Sequence, residues 1–363
     1  MQLTHALKTL AVVGTSALTV LASSPAHASP ARTNPVRTVT SGLDGPYGLD
    51  VTSPARAVVA EGDSGQVTAV NLRTGAQRTL ISGLTGPAGV AVRGGRLYVV
   101  LGGGDPEGPP PPPSKYPPAS LLVADANGTH VRVLADLMAY ELKHNPDGQV
   151  QFGPDGQPYD ALSNPFSMIS TRWGLLIADG GANDVLRVDP RTGRISTYFV
   201  PPTARTAACL KPGAQANPGT VGCDPVPTGL AVRGDSVYVS TLGAESPGAA
   251  AVWRLNGRTG RVQQVWKSFT ALTGVAVEPN GTIYASEVLF GAPEGAPPPG
   301  FDPSTVGRLT RIRHGHVTHA AVTMPTGLEF FAGHLYATSW SIAGQLGIPH
   351  AGKLVQVGPR AFH

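Results

Sequence analysis

From residue 35 onward, apolar and polar residues alternate in short runs, and the runs return in a fixed order. Each cycle opens on a turn and Gly-apolar-x-apolar, crosses a polar turn into a second alternating run, spans a variable loop and ends on two more runs. Period-two alternation of this length predicts strands. The openings are Gly45-Pro46-Tyr47-Gly48-Leu49, Gly86-Pro87-Ala88-Gly89-Val90 and Asn164-Pro165-Phe166-Ser167-Met168, then Val226-Pro227-Thr228-Gly229-Leu230, Ala271-Leu272-Thr273-Gly274-Val275 and Met324-Pro325-Thr326-Gly327-Leu328. Second strands are expected over 57–60, 97–100, 175–178, 237–240, 283–286 and 335–338. Four strands per unit, repeated six times, predict an all-β, six-bladed β-propeller of four-stranded antiparallel blades.

The last unit stops after its third strand, Lys353 to Val357. Its missing partner stands at the other end of the chain. Arg37-Thr38-Val39-Thr40-Ser41-Gly42-Leu43 copies Arg78-Thr79-Leu80-Ile81-Ser82-Gly83-Leu84, which leads from the first unit into the second. Residues 35–41 are therefore expected to close the sixth blade, so that no sheet edge is left open.

With strand one on the axis, the loops joining strands two and three share a face with the loops joining blades. All the long irregular stretches belong to these two classes: 102–119, 242–249, 290–306 and 341–352 in the first, 138–163 and 201–225 in the second. The other face has only tight turns. One-sided elaboration of a rigid scaffold marks a binding surface.

Composition supports the strand reading, with 46 Gly, 35 Pro and only 14% charged residues. The first 28 residues contain one charge, Lys8, then an apolar run from Leu10 to Ala22 and Ala26-His27-Ala28, the layout of a secretory signal cleaved near Ala28. The expected product is a secreted single propeller domain over 29–363, monomeric and without a membrane span. The formal net charge is +4 with no basic block, so nucleic acid is not an implied partner. A small molecule or an extracellular protein is. The only two cysteines, Cys209 and Cys223, lie close together in an exported chain. A disulfide there would contribute roughly 3 kcal/mol, and a zinc pair would lack nearby further ligands.

Aligned over the six units, the residue following strand two reads Glu61, Leu101, Asp179, Thr241, Glu287, Ser339. Acids thus recur in alternate blades, on the same face as Asn164. Asp50 and Glu329 stand two residues after the strand-one Gly and are expected to point into the channel. Oxygen ligands gathered near a channel mouth suit Ca²⁺ or another divalent cation, with Glu61, Asn164, Asp179 and Glu287 as candidate ligands. The same Glu-Gly and Asp-Gly pairs are also ordinary turn formers. There is no Gly-x-Ser-x-Gly elbow, and His144, His334 and His350 lack metal-ligand spacing.

One further set of residues carries a resemblance. Tyr140-Glu141 and His144-Asn145-Pro146-Asp147-Gly148, then Ser163-Asn164-Pro165-Phe166, then the run from Ala178-Asp179-Gly180-Gly181 to Asp189 resemble the ScyD/ScyE family of exported propellers. So does Pro227-Thr228-Gly229-Leu230. The family name comes from members encoded with the biosynthesis of scytonemin, an extracellular pigment. The resemblance implies an exported propeller, accessory to a secondary-metabolite pathway; the one-sided loops and the lack of a complete catalytic constellation add the expectation that it binds its ligand at the loop-rich face. This chain departs locally: Gln149 to Ala161 lengthens one loop, and Phe166-Ser167 replaces an expected Tyr-Gly. More distantly, Asn164 and the channel acids resemble gluconolactonase, senescence-marker and NHL-type propellers, which implies the alternative of a divalent-metal hydrolase or lactonase.

Overall fold

The structure, a computed structural model, describes residues 35–103, 114–211, 217–293 and 295–363. The export signal read over residues 1–28 and the Pro109–Pro113 run lie outside the described residues. The described chain starts on β1 (Val36–Leu43). Blade one comes next as β2 (Pro46–Ser53), β3 (Arg56–Glu61), β4 (Gln66–Asn71) and β5 (Gln77–Ile81). Blade two is β6 (Pro87–Arg93), β7 (Arg96–Leu101), β8 (Ser120–Asp125) and β9 (Arg132–Asp136). Helix α1 (Leu137–His144) then leads to blade three, β10 (Pro165–Thr171), β11 (Gly174–Asp179), β12 (Asp184–Val188) and β13 (Ile195–Phe199). Blade four is β14 (Pro227–Arg233), β15 (Ser236–Thr241), β16 (Ala250–Asn256) and β17 (Val262–Phe269). Blade five is β18 (Leu272–Val277), β19 (Ile283–Glu287), β20 (Arg308–Arg313) and β21 (His316–Ala320). Blade six is β22 (Leu328–Phe331), β23 (His334–Ser339) and β24 (Gly352–Val357), with β1 as its fourth strand. The fold is the six-bladed β-propeller that the repeats predict.

Closure takes the predicted pairing. β1 runs antiparallel to β24 from Val36 opposite Val357 to Leu43 opposite Gly352. Arg37 adds a side-chain tie, donating from Nη2 to Gln356 Oε1 at 2.6 Å.

The core is divided into six wedges, each between two neighbouring blades. One joins Tyr98 and Leu121 of blade two to Leu175 and Ile177 of blade three, and another joins Leu43 and Leu354 of blade six to Val51 and Val59 of blade one. Because each wedge is shared, every blade depends on both neighbours. Around the axis the inner strands approach backbone to backbone. A Cβ on Gly274 would lie 2.1 Å from Thr326 O of the next blade, so only glycine fits. Blade three has Ser167 at the equivalent place, and its hydroxyl donates to Thr228 O of blade four.

Both long blade-joining connections on the loop-rich face carry local structure among their described residues. α1 occupies part of the blade-two-to-three connection, which the repeat pattern reads as an irregular loop. Asp136 caps it by accepting from Ala139 N at 2.9 Å, and Asn145 ends it in the left-handed region (φ 39°). The blade-three-to-four loop is closed by a disulfide between Cys209 and Cys223, with Cα atoms 5.0 Å apart. Among the described residues, no helix is long and apolar enough to cross a membrane.

Candidate functional site

All six inner strands line one central channel of about 300 Å³. Each strand begins at the loop-rich face, so its first residues form the mouth. Tyr47 of β2 and Phe166 of β10 meet there edge to face, with ring centroids 6.0 Å apart. Three residues deeper on β2, ~10 Å at strand rise, comes Asp50. The same position in the other blades reads Ala91, Ile169, Ala231, Ala276 and Glu329. The channel therefore has acids on two adjacent blades, six and one, and apolar residues on the other four.

Each acid is anchored on the inner strand of the next blade. Glu329 Oε2 accepts from Val51 N at 2.5 Å, and Asp50 Oδ2 accepts from Val92 N at 2.5 Å. Burial pushes Asp50 up to about 6, against the lowering effect of the Val92 bond. Burial, then repulsion from Asp50, raises Glu329 well above the usual carboxylate range. Two neighbouring half-buried carboxyls that resist full ionisation titrate as a pair. Near neutral pH such a pair can both donate and accept hydrogen bonds.

The other candidate residues stand apart from this pair. Glu61, Asp179 and Glu287 are the last residues of β3, β11 and β19, in alternate blades around the ring. Each is occupied by groups of its own blade or of the segment that leads into it. Glu61 accepts from Asp44 N at 2.8 Å and from the Thr68 hydroxyl. Asp179, fully buried, accepts from Asn164 N at 2.7 Å, the Ser163 hydroxyl at 2.5 Å and Ala182 N at 3.2 Å. Burial still pushes it up to about 6. Glu287 holds Arg308 through two bonds, at 2.9 and 3.1 Å, and accepts from Thr310. Asn164 Oδ1 accepts from Gly103 N at 2.9 Å and so ties blade two to blade three. Among the described residues, no group of three or more His, Cys, Asp or Glu is placed to hold a metal ion.

Sequence reasoning missed a second concavity. The loops between strands two and three in blades five and six enclose an apolar pocket of about 260 Å³, lined by residues including Leu289, Phe301, Val306, Met324, Ile342 and Leu346. Tyr47 packs against the same cluster, so this pocket adjoins the channel mouth. Its signal in the sequence is only a scatter of apolar residues in Pro-rich loops, with no period to connect them.

No protein-family model matches the chain, and no curated protein matches it. Solved structures do. A protein of unknown function from Bacteroides thetaiotaomicron superposes with a TM-score of 0.54 at 11% identity, over 88% of this chain and 74% of its own. A gluconolactonase from Xanthomonas campestris gives 0.53 at 13%, over 88% of each chain. A calcium-binding regucalcin from Agrobacterium tumefaciens gives 0.51 at 11%, over 90% of this chain and 92% of its own. At such identities the likeness extends to the fold alone, and it places this chain among the six-bladed β-propellers.

Proposed function

We propose that the protein is an exported, ScyD/ScyE-like binding propeller that takes a small organic molecule into the mouth of its channel. A flat apolar part of the ligand rests against Tyr47 and Phe166, and a hydrogen-bonding or cationic end reaches Asp50 and Glu329. The observation that carries this reading is the Asp50–Glu329 pair, set below an aromatic mouth in a channel that all six blades line. Concave sites with mainly apolar walls and a few convergent polar groups are where small molecules bind. The disulfide is compatible with an oxidising, extracellular setting. The residues from Tyr140 to Asp189 motivate the family assignment, and the accessory role in a secondary-metabolite pathway rests on that assignment.

The test is a thermal-shift and calorimetric screen of aromatic amines and phenols against wild type, Phe166→Ala and Glu329→Gln. A ligand of this site should lose about tenfold or more in affinity in Glu329→Gln, the worth of one buried hydrogen bond whose partner is left unpaired. Hits that bind both variants as tightly as wild type would place the ligand elsewhere. Turnover of a lactone that depends on a divalent metal and disappears in Glu329→Gln would instead establish the hydrolase alternative.

A further inference from the structure

The two long blade-joining loops meet over blade three and bring together residues that are far apart in the chain. α1 contributes Glu141, and its cap Asn145 begins Asn145-Pro146-Asp147-Gly148. The turn after β11 contributes Asn183, in the left-handed region (φ 52°), and Asp184, the first residue of β12. Side chains link these segments. Asn183 Nδ2 donates to Asp147 Oδ2 at 3.1 Å, Gln151 Nε2 donates to Glu141 Oε1 at 2.7 Å, and Gln149 Nε2 donates to Asp224 Oδ1 at 2.6 Å. Among the described residues, no Lys, Arg or His forms an ion pair with Glu141, Asp147, Asp179 or Asp184.

Several oxygens in these segments also lack hydrogen-bond partners. Asp184 is 0% exposed, and neither of its carboxylate oxygens has one. Glu141 is 4% exposed, and its Oε2 is buried and unpartnered. Asn145 Oδ1 is buried and unpartnered as well. Glu141 and Asn145 are one helical turn apart and connected, with Asn145 N donating to Glu141 O at 2.8 Å. The carboxyls of Asp179, Glu141 and Asp147 lie close enough to Asp184 for a charge on any of them to bear on it. A dry carboxylate without partners is among the costliest groups a fold can bury. Protonation removes its charge but leaves a new donor, and the remaining acceptors, still without partners. A dication bound at Asp184 would supply the missing partner, and Glu141 Oε2 and Asn145 Oδ1 are unpartnered oxygens of the same kind on α1 and its cap.

We propose that the cleft between α1 and the start of β12 is a Ca²⁺ site, with Asp184 Oδ1 and Oδ2 as its principal ligand and Glu141 Oε2 and Asn145 Oδ1 as further donors. The donors are all oxygen, which suits a hard cation and disfavours zinc. Two carboxylates and an amide leave coordination positions for main-chain carbonyls and water, as Ca²⁺ accepts. None of these residues lines the channel, so the site is independent of the small-molecule reading. Its effect would be to fasten α1 and the loop behind it to blade three.

The experiment is titration of the chelator-treated full chain with Ca²⁺ by calorimetry, alongside melting curves in Ca²⁺, Mg²⁺ and chelator. The expected result is one site and a rise in melting temperature of about 3–5 °C at a hundredfold excess over Kd. Asp184→Asn should weaken Ca²⁺ binding by about tenfold or more, and Glu141→Gln by less. Glu141→Gln also serves if Asp184→Asn does not fold. Absence of Ca²⁺ uptake by wild type, a Mg²⁺ response as strong as that to Ca²⁺, or undiminished affinity in both variants would overturn the proposal. So would stabilisation by Asp184→Asn in a wild type indifferent to Ca²⁺, which would identify Asp184 as a neutral buried acid.

Discussion

Asp50 shows how one side chain can tie stability to pH. Its folded-state pKa, about 6, lies above the ordinary carboxylate value. The folded chain therefore holds a proton that the unfolded chain releases between pH ~4 and ~6. The stability this group contributes is complete below the lower value and is lost as pH rises through the upper one. Asp50→Asn removes that loss while its amide oxygen can still accept from Val92 N. Relative to wild type, the variant should gain on the order of 2 kcal/mol between pH 4 and pH 7.5, read from denaturant melts at both values. A constant difference across that range would mean that Asp50 titrates as it does in the unfolded chain. Residues were also the hardest scale to read from sequence. Glu61, Asp179 and Glu287 share one alignment column, which made them look like a set. A shared column in a ring places residues in different blades, and each of them is occupied by its own blade or by the segment that leads into it. Asp184 gave no warning, because an acid that opens a strand after Gly-Gly-Ala-Asn reads as part of a turn.

Elements were far more legible. Every predicted second strand lies within an observed one, extended by a residue or two, because alternation and flanking turns agree in each. α1 is the exception. Its signals were present in Asp136 as a cap, Ala139, Glu141 and Lys143 as helix formers, and Asn145-Pro146 as a stop. They span two turns, too few to outweigh a repeat that treats everything between blades as loop. The disulfide belongs to this scale as well: it closes a loop with a sequence separation of 14, and a backbone β-bridge pairs Ala204 with Cys223 beside it. Cys209→Ser with Cys223→Ser should cost about 3 kcal/mol, measured as a lowered denaturation midpoint. An unchanged midpoint would show that the Ala204–Cys223 bridge and the buried cluster around it hold the loop unaided.

At the scale of the whole molecule the ring has no spare part. Six wedges each need two blades, and blade six needs β1 for its outer edge. Deleting residues 35–43 removes Leu43 from the wedge between blades six and one and exposes the outer edge of β24. The expected outcome is a lower, broader unfolding transition and a tendency to self-associate through the exposed strand. Light scattering and calorimetry would test it, and a sharp monomeric transition at the wild-type temperature would contradict it. This closure was legible in the sequence because the opening segment repeats the end of blade one almost residue for residue. The channel contents were legible only in part. Periodicity places Asp50 and Glu329 on inner strands, but it cannot tell which neighbouring strand each will lean on.

The same closure imposes an order on biogenesis. Arg37 and Gln356, partners in the finished ring, are 319 positions apart. At ~5–20 residues per second, a ribosome needs on the order of half a minute to make the second after the first. Throughout that interval β1 lacks the partner it has in the finished ring, and the sixth blade is the one that takes it in. Closure of the ring therefore waits until the sixth blade has been made, when a segment made before the first blade meets β24.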